Sequence, residues 1–200
     1  AKKEVTNKLN IAGGVRYDMR NYQNEELKED SSIRFAHSNK NFSNISGSIG
    51  TTYELSKQIV VKVNIARGYR APQAAEISSN GLHEGTFRYE IGNGNLKAET
   101  SLQGDLGVLF SREHVSVDAA LFSNNISNFI YLKTLRSMNG GDSITDPYNP
   151  TPTSKFVQGK AALNGPDFTI EFHPTPVKCL LFETTFSFVH AGNKITTDST

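Results

Sequence analysis

Between Gly68 and Thr100 the chain gathers Arg70, Glu76, His83, Glu84, Arg88, Tyr89 and Glu90 in one polar stretch. Two arginines so placed could each grip a carboxylate through the planar guanidinium fork. Tyr89 could stack on an aromatic group. Arg70, His83, Glu84, Arg88 and Tyr89 are therefore candidate contacts for an anionic small molecule or a metal chelate. The same residues support a second reading, a loop held by its own ion pairs and turns. Asn80-Gly81 and Gly92-Asn93-Gly94 are plain turn chemistry.

Other chemistries fail on spacing. His83 and Glu84 are chain neighbours, and no second His or Cys stands at a useful distance, so no metal site is expected. Gly92-x-Gly94 lacks the third glycine and following helix of a dinucleotide site, so no cofactor is expected. Ser187 with His190 has neither an elbow nor an acid partner, so no catalytic residue and no enzyme activity are expected. Cys179 is the only cysteine, which rules out an internal disulfide and reads as a small hydrophobe. Twenty-one basic residues against 20 acidic ones give a net charge of +1 and no footprint for nucleic acid.

The elements that must position the polar stretch follow a period of two. Along Val5–Tyr17 the odd positions include Val5, Leu9, Ile11, Val15 and Tyr17, and the even ones Thr6, Lys8, Asn10 and Arg16. Ile45, Ile49, Tyr53 and Leu55 alternate with Asn44, Ser46, Ser48 and Glu54. Ile59, Val61, Val63 and Ile65 alternate with Gln58, Lys62 and Asn64. About seven strands are predicted, near 5–17, 44–55, 58–67, 101–111, 114–131, 156–172 and 178–190. The phase blurs near Phe122–Ile126, where a bulge is expected.

Connections alternate in length. Tight turns are expected near Ser56-Lys57, Arg112-Glu113 and Pro174-Thr175-Pro176, and long loops over 18–43, 68–100 and 132–155. Compact soluble domains rarely carry three loops of this size. An all-β, antiparallel up-and-down meander with its long loops at one end and its turns at the other resembles an outer-membrane barrel. Strand spans of about 10–13 residues match those that cross a bilayer at a tilt. Aromatics expected at the membrane interfaces are Tyr17, Tyr69, Tyr131 and Phe188 toward the loops, with Tyr53, Phe110 and Phe172 toward the turns. Phe156 also falls toward the loops. Lys8, Arg16, Glu54, Lys62, Asp105, Asp118, Glu171 and Glu183 would share the opposite, polar face. No run reaches the ~18–20 apolar residues of a membrane helix. The start "AKKEVTNKLN" has no hydrophobic leader and reads as a mature fragment or internal segment.

Several stretches, in order, resemble a known family. "ARGYRAPQAAE" (66–76), "SNGLHEGTFRYEIGNGNLKAETS" (79–101), "DLGVLF", "ALFSNNISNFIYL" and "ALNGPDFTIEFHPTPVKCLLFETTFSFV" together resemble the barrel of a TonB-dependent outer-membrane receptor of the Bacteroidetes type. They cover roughly 59–190. The family usually has proline where Gly94 or Ala98 stands, a departure that loosens a turn but removes no chemical group. The resemblance implies part of a 22-stranded transmembrane barrel, with a plug domain absent from this chain. It also implies contact with outer-membrane lipid, coupling to TonB through that plug, a location in the Gram-negative cell outer membrane, and uptake of a scarce solute such as a ferric siderophore or cobalamin. A soluble β-barrel or β-sandwich binding module for small ligands is the alternative. A barrel lipase would need a rim Ser/His/acid set that the sequence does not offer. Seven strands cut from a larger ring should form an open sheet, not a closed seven-stranded barrel.

Overall fold

In a computed structural model the described residues are 1–29, 32–35, 37–83, 85–135, 152–174 and 180–194. Glu84, Cys179 and most of the expected loop 132–155 lie outside them.

The elements in chain order are β1 (Lys2–Thr6), β2 (Leu9–Asn24), β3 (Leu27–Glu29), β4 (Ser32–Phe35), β5 (Ser38–Glu54), β6 (Ile59–Arg70), α1 (Ala74–Ser78), β7 (Asn80–His83), β8 (Arg88–Ile91), β9 (Glu99–Arg112), β10 (Val115–Thr134), β11 (Thr153–Phe172), β12 (Phe182–Ser187) and β13 (His190–Lys194). The main sheet runs β1-β2-β5-β6-β9-β10-β11-β8-β7, with β12 and β13 also pairing β11. Every pairing is antiparallel except β8 on β11. The path does not close on itself among the described residues, as expected for a segment of a larger ring.

Period-two alternation becomes two faces because the register runs without a shift from β2 through β5, β6 and β9 to β10. Val63 is paired with Leu106, Leu106 with Leu121, and Leu121 with Pro166. One row nearer the turns, Val61, Val108, Ala119, Phe168 and Phe186 follow one another across five strands. These side chains stand in the open: Ile49 is 59% exposed, Leu121 58% and Phe186 62%. Soluble monomers rarely carry an apolar surface of this extent, whereas a lipid-facing barrel wall requires one.

The opposite face is polar and cross-linked. Asn64 Nδ2 and Gln103 Nε2 both donate to Asp105, at 2.9 and 2.7 Å. Lys62 lies beside Gly107 and reaches past it to Asp118, Nζ to Oδ2 3.0 Å. Gly107 has no side chain to block that reach. Arg16 pairs with Asp18. Glu54, Glu171 and Glu183 share this face by register. Lys8 does not, because it sits in the turn between β1 and β2.

That turn is a correction to the first expected strand. The stretch 5–17 is two strands joined at Asn7-Lys8, where the Thr6 hydroxyl accepts from the Lys8 and Leu9 N–H groups. Alternation hid the reversal because, past a register shift between Glu4 and Thr6, odd positions of β1 again pair with odd positions of β2, as Lys3 does with Ile11. The strands also run farther than their alternation shows. β2 and β5 stay paired to Asn24 and Ser38, where apolar residues are sparse but backbone pairing persists. The seventh strand is split into β12 and β13 opposite Gly165-Pro166. Pro166 has no N–H to donate, and its carbonyl accepts from Phe188 N at 3.0 Å. The Phe188 carbonyl lies directly over Gly165. Phe188 therefore stands at this mid-strand break, not toward the loops.

A Cβ at position 165 would overlap the Phe188 oxygen and crowd Phe122. Gly165→Ala is expected to cost about 1–3 kcal/mol by overpacking. Urea unfolding of the full-length protein in detergent should show a lower midpoint, and an unchanged midpoint would refute the close approach.

Candidate functional site

The polar stretch 71–98 is a built structure. It leaves β6 at Arg70, forms the single turn α1, folds back as the β7–β8 hairpin, and returns to β9 at Glu99. Ala71-Pro72 is buried, and the proline, fully buried, ends the strand. α1 begins at once because Gln73 and Glu76 form a reciprocal capping box, with Gln73 N donating to Glu76 Oε2 at 2.7 Å. Tyr22 of β2 reaches the Ser78 hydroxyl at 2.9 Å and ties α1 to the sheet.

Arg70 is the centre of the arrangement. Its Nε lies 2.5 Å from Glu99 Oε2 and its Nη1 lies 3.0 Å from both oxygens of Glu76. One guanidinium thus joins the last residue of β6, the first of β9 and the short helix between them. The other oxygen of Glu99 accepts from Ile130 N at 2.6 Å. That N–H is available because β10 bulges: the register shifts between Ser127 and Phe129, and Asn128 has φ 56°. The bulge expected at 122–126 lies a few residues later, at the asparagine best able to adopt that conformation.

Arg70 and Glu99 stand at the loop ends of their strands, outside the apolar band. The bond to Glu99 raises the Arg70 pKa above its ordinary value, burial opposes it, and Glu76 adds to the rise. Burial works to raise the Glu99 pKa, but Arg70 and the Ile130 N–H outweigh it and hold the pKa below the usual range.

A second set of contacts locks the return strand. Gln158 donates to the carbonyls of Lys97 and Asn128 at 2.7 and 2.8 Å, and accepts from Lys97 N at 2.8 Å. Asn128 Nδ2 donates to Ala98 O at 3.1 Å. Leu96 is buried with Ile130 and Phe156, with Leu132 beside them. Phe156, expected as a loop-side aromatic, is instead part of this small core.

The expected ligand contacts divide accordingly. Arg70 is committed to two carboxylates. Arg88 pairs with the buried Glu90, Nε to Oε1 2.8 Å, two residues along the same face of β8. The Tyr89 hydroxyl donates to Asn80 Oδ1 at 2.7 Å. His83 is exposed at the hairpin turn, its Nδ1 3.2 Å from the Thr86 hydroxyl. His83 is exposed and Tyr89 half-buried, and the two arginine side chains, 38% and 36% exposed, are paired with carboxylates. Among the described residues no group of His, Cys, Asp and Glu is placed to hold a metal ion.

Of the expected interface aromatics, Tyr17, Tyr53 and Phe172 are exposed on the apolar parity, and Phe110 and Tyr69 share it half-buried. Tyr131 does not share it. The Asn128 bulge shifts β10 by one residue, so Tyr131 lies opposite Val157 on the parity of the polar face, its ring stacked on Phe129 at 6.2 Å. The sequence reading missed Glu99, Asn128, Gln158 and Leu96 as partners. Only the blurred phase around "SNNISN" signalled them.

An antiparallel sheet, apolar on one face and polar on the other, with a braced polar segment at one end, defines a piece of a large membrane-type barrel. The chain belongs to the TonB dependent receptor-like β-barrel family, whose model matches residues 3–199. It is 33% identical over 112 residues to a probable TonB-dependent siderophore receptor, PirA, of Acinetobacter baumannii, covering 51% of this chain and 15% of that protein. It is 29% identical over 107 residues to a ferric enterobactin receptor of Pseudomonas aeruginosa, covering 49% of this chain and 14% of the relative. The fold matches the crystal structure of the siderophore receptor PirA from Pseudomonas aeruginosa with a TM-score of 0.63 and 21% identity, over 94% of this chain and 30% of that one. It matches the copper transporter OprC with a TM-score of 0.70 and 14% identity, over 94% and 27%. The chain thus spans well under a third of the length of the curated relatives it matches.

Arg70→Ala would leave Glu76 and Glu99 facing each other unpaired. Discounted for partial exposure, the loss is expected at about 1–3 kcal/mol of local stability. Hydrogen exchange of the full-length protein should speed up over 73–99 and at the Ile130 amide. Protection unchanged there would deny Arg70 its bracing role. The same amide reports on pH. Because the folded pKa of Glu99 is lowered, its stabilisation is complete above the ordinary glutamate value of about 4.3 and fades as pH falls through the lowered value. Ile130 protection should therefore be flat from neutral pH down to about 4.3 and decline progressively below it. A Glu99→Gln variant should show no such decline.

Proposed function

We propose that this chain is the barrel portion of an outer-membrane transporter that takes up a ferric siderophore, energised by TonB through a plug domain carried elsewhere in the full protein. The observation that carries the reading is the sheet itself. An open apolar face lies opposite a cross-linked polar face through six consecutive long strands. Such a wall separates lipid from a wet interior. A soluble binding module would have to cover that face. The relatives' printed roles, ferric enterobactin receptor and probable siderophore receptor, favour an iron chelate as cargo.

In this reading the hairpin β7–β8 faces the solute. His83 and Tyr89 are the contacts with surface to offer, Glu84 belongs to the same turn in sequence, and Arg70 and Arg88 act as positioning residues. No chemical conversion of the solute is involved; binding and release are the whole task.

Cells making the full-length protein are expected to accumulate iron-55 supplied as ferric enterobactin. Collapse of the inner-membrane proton-motive force should abolish that accumulation. Uptake that survives either gene deletion or the uncoupler would refute the transport role. Arg88→Ala should leave ligand affinity within about twofold, since its guanidinium is taken by Glu90; a tenfold loss would make it a direct contact.

A further inference from the structure

Four asparagines of this chain precede a glycine: Asn80, Asn93, Asn139 and Asn164. Asn139 lies outside the described residues. Asn80 and Asn164 sit in strands, and their side-chain oxygens accept from the Tyr89 and Ser123 hydroxyls. Pairing fixes Gly81 opposite Glu90 and Gly165 opposite Phe122. In such an extended backbone the side chain stands out from the pleat, away from the next peptide. Asn93 is held differently. It opens a turn in which Leu96 N donates to Asn93 O at 3.3 Å. Its Oδ1 accepts from Asn95 N at 3.0 Å, an Asx turn. The ring closed by that bond contains both Asn93 Cγ and Gly94 N, so the side-chain carbonyl is folded back over the Gly94 peptide. Gly94 is exposed, and a Cβ there would meet nothing within 4 Å. Among the described residues the Gly94 N–H has no hydrogen-bond partner.

We infer that Asn93 is a site of spontaneous self-modification, converted to aspartate or isoaspartate, and that the conversion opens the clasp on α1. Gly94 N attacks Asn93 Cγ and closes a cyclic imide. The Gly94 proton and the side-chain amide group leave together as ammonia. Water then opens the ring. Opening at Cγ leaves aspartate; opening at the backbone carbonyl leaves isoaspartate, whose main chain runs through Cβ and Cγ. The overall change is amide and water to carboxylic acid and ammonia, with no oxidant or reductant. The Asn95 N–H on Oδ1 stabilises the negative charge that develops there during the attack. Glycine at 94 lets the peptide turn into the ring without a Cβ in the way. The place matters because of what is fastened on either side of it. Gly92 N donates to Ser79 O at 2.6 Å and Asn93 N to Glu76 O at 2.9 Å, clasping the end of β8 to α1. Three residues on, Leu96 is buried against Ile130 and Phe156. A main chain lengthened by one methylene between these anchors loosens the clasp.

The test ages the purified full-length protein in detergent and mildly alkaline buffer. Peptide mapping by mass spectrometry, with an isoaspartate-specific methyl-transfer assay, locates the modified residues. Amide loss is expected at Asn93 ahead of Asn80 and Asn164, and faster as pH rises, because the attacking nitrogen must shed its proton. Gly94→Ala keeps the N–H but adds a Cβ, and should slow the reaction about tenfold. Gly94→Pro has no N–H and should stop it. Both variants should stay heat-modifiable on gels, since position 94 crowds no neighbour. In the aged native protein, hydrogen exchange over 74–79 should rise roughly threefold or more, the loss of about one hydrogen bond. Asn93 left intact while Asn80 or Asn164 reacts, or equal rates in the native and Gly94→Pro proteins, overturns the inference. Isoaspartate at Asn93 with unchanged exchange over 74–79 overturns the clasp.

Discussion

Everything in this sheet follows from one constraint: side chains alternate with a period of two, so register decides which face a residue joins. Backbone pairing alone would hold the strands at any offset. The offset observed keeps Val63, Leu106 and Leu121 in line on one side, and Asn64 beside Asp105 on the other. A slip of one residue between β6 and β9 would carry Asp105 into the apolar face, where no described acid of β2, β5, β6 or β9–β12 now stands. In hydrocarbon such a placement costs several kcal/mol, so the polar face acts as a register lock as well as a wet wall. Lys62 with Asp118, and Asp105 with its two amide donors, add bonds that exist only at the observed offset.

The bulge at Asn128 breaks that constraint within a long strand pair. It exchanges the faces of β10 above it and frees the Ile130 N–H, which Glu99 then takes. Arg70 neutralises Glu99 and reaches α1 through Glu76. A departure from regular pairing in one strand thus becomes the anchor for a segment some thirty residues long. Gln158 and Leu96 complete the attachment, so the segment is held by charge, by hydrogen bonds and by a small core at once. The β7–β8 hairpin is presented on a rigid base, which lowers the ordering cost of any ligand it meets.

The sheet was legible in the sequence because lipid on one side and water on the other impose alternation directly on residue types. The runs Ile59–Ile65 and Leu102–Phe110 could be read without a structure. Three features were not legible, each for a physical reason. The turn at Asn7-Lys8, together with the register shift between Glu4 and Thr6, sets odd positions against odd ones again, so alternation passes through it unmarked. The upper halves of β2 and β5 carry few apolar residues, and their pairing rests on backbone bonds that leave no trace in composition. The polar segment 71–98 depends on partners distant in sequence: Glu99 is 29 residues from Arg70, and Gln158 is 61 from Lys97. Local propensity says nothing of such pairs. Arg70 owes its brace to one of those distant partners, whereas Arg88 pairs with Glu90 two residues away.

The braced residues limit which side chains of this sheet can change without loosening the segment. Arg70, Glu76 and Glu99 bond one another, and Glu99, Asn128 and Gln158 spend further polar atoms on backbone groups of Ile130, Ala98, Lys97 and Asn128. A ligand drawing on any of them would have to break an ion pair or uncover a buried carbonyl, at about 1–3 kcal/mol per group. Exposed charge remains at Lys133 and Lys155, on the hairpin that carries the Phe129–Tyr131 stack. Phe129, Tyr131 and Lys133 follow the same bulge that anchors the segment along β10, and Lys155 is paired with Lys133 from β11. Their side chains make none of the bonds by which Asn128 and Gln158 hold the segment, so exposed charge and anchoring contacts lie on opposite faces of one hairpin.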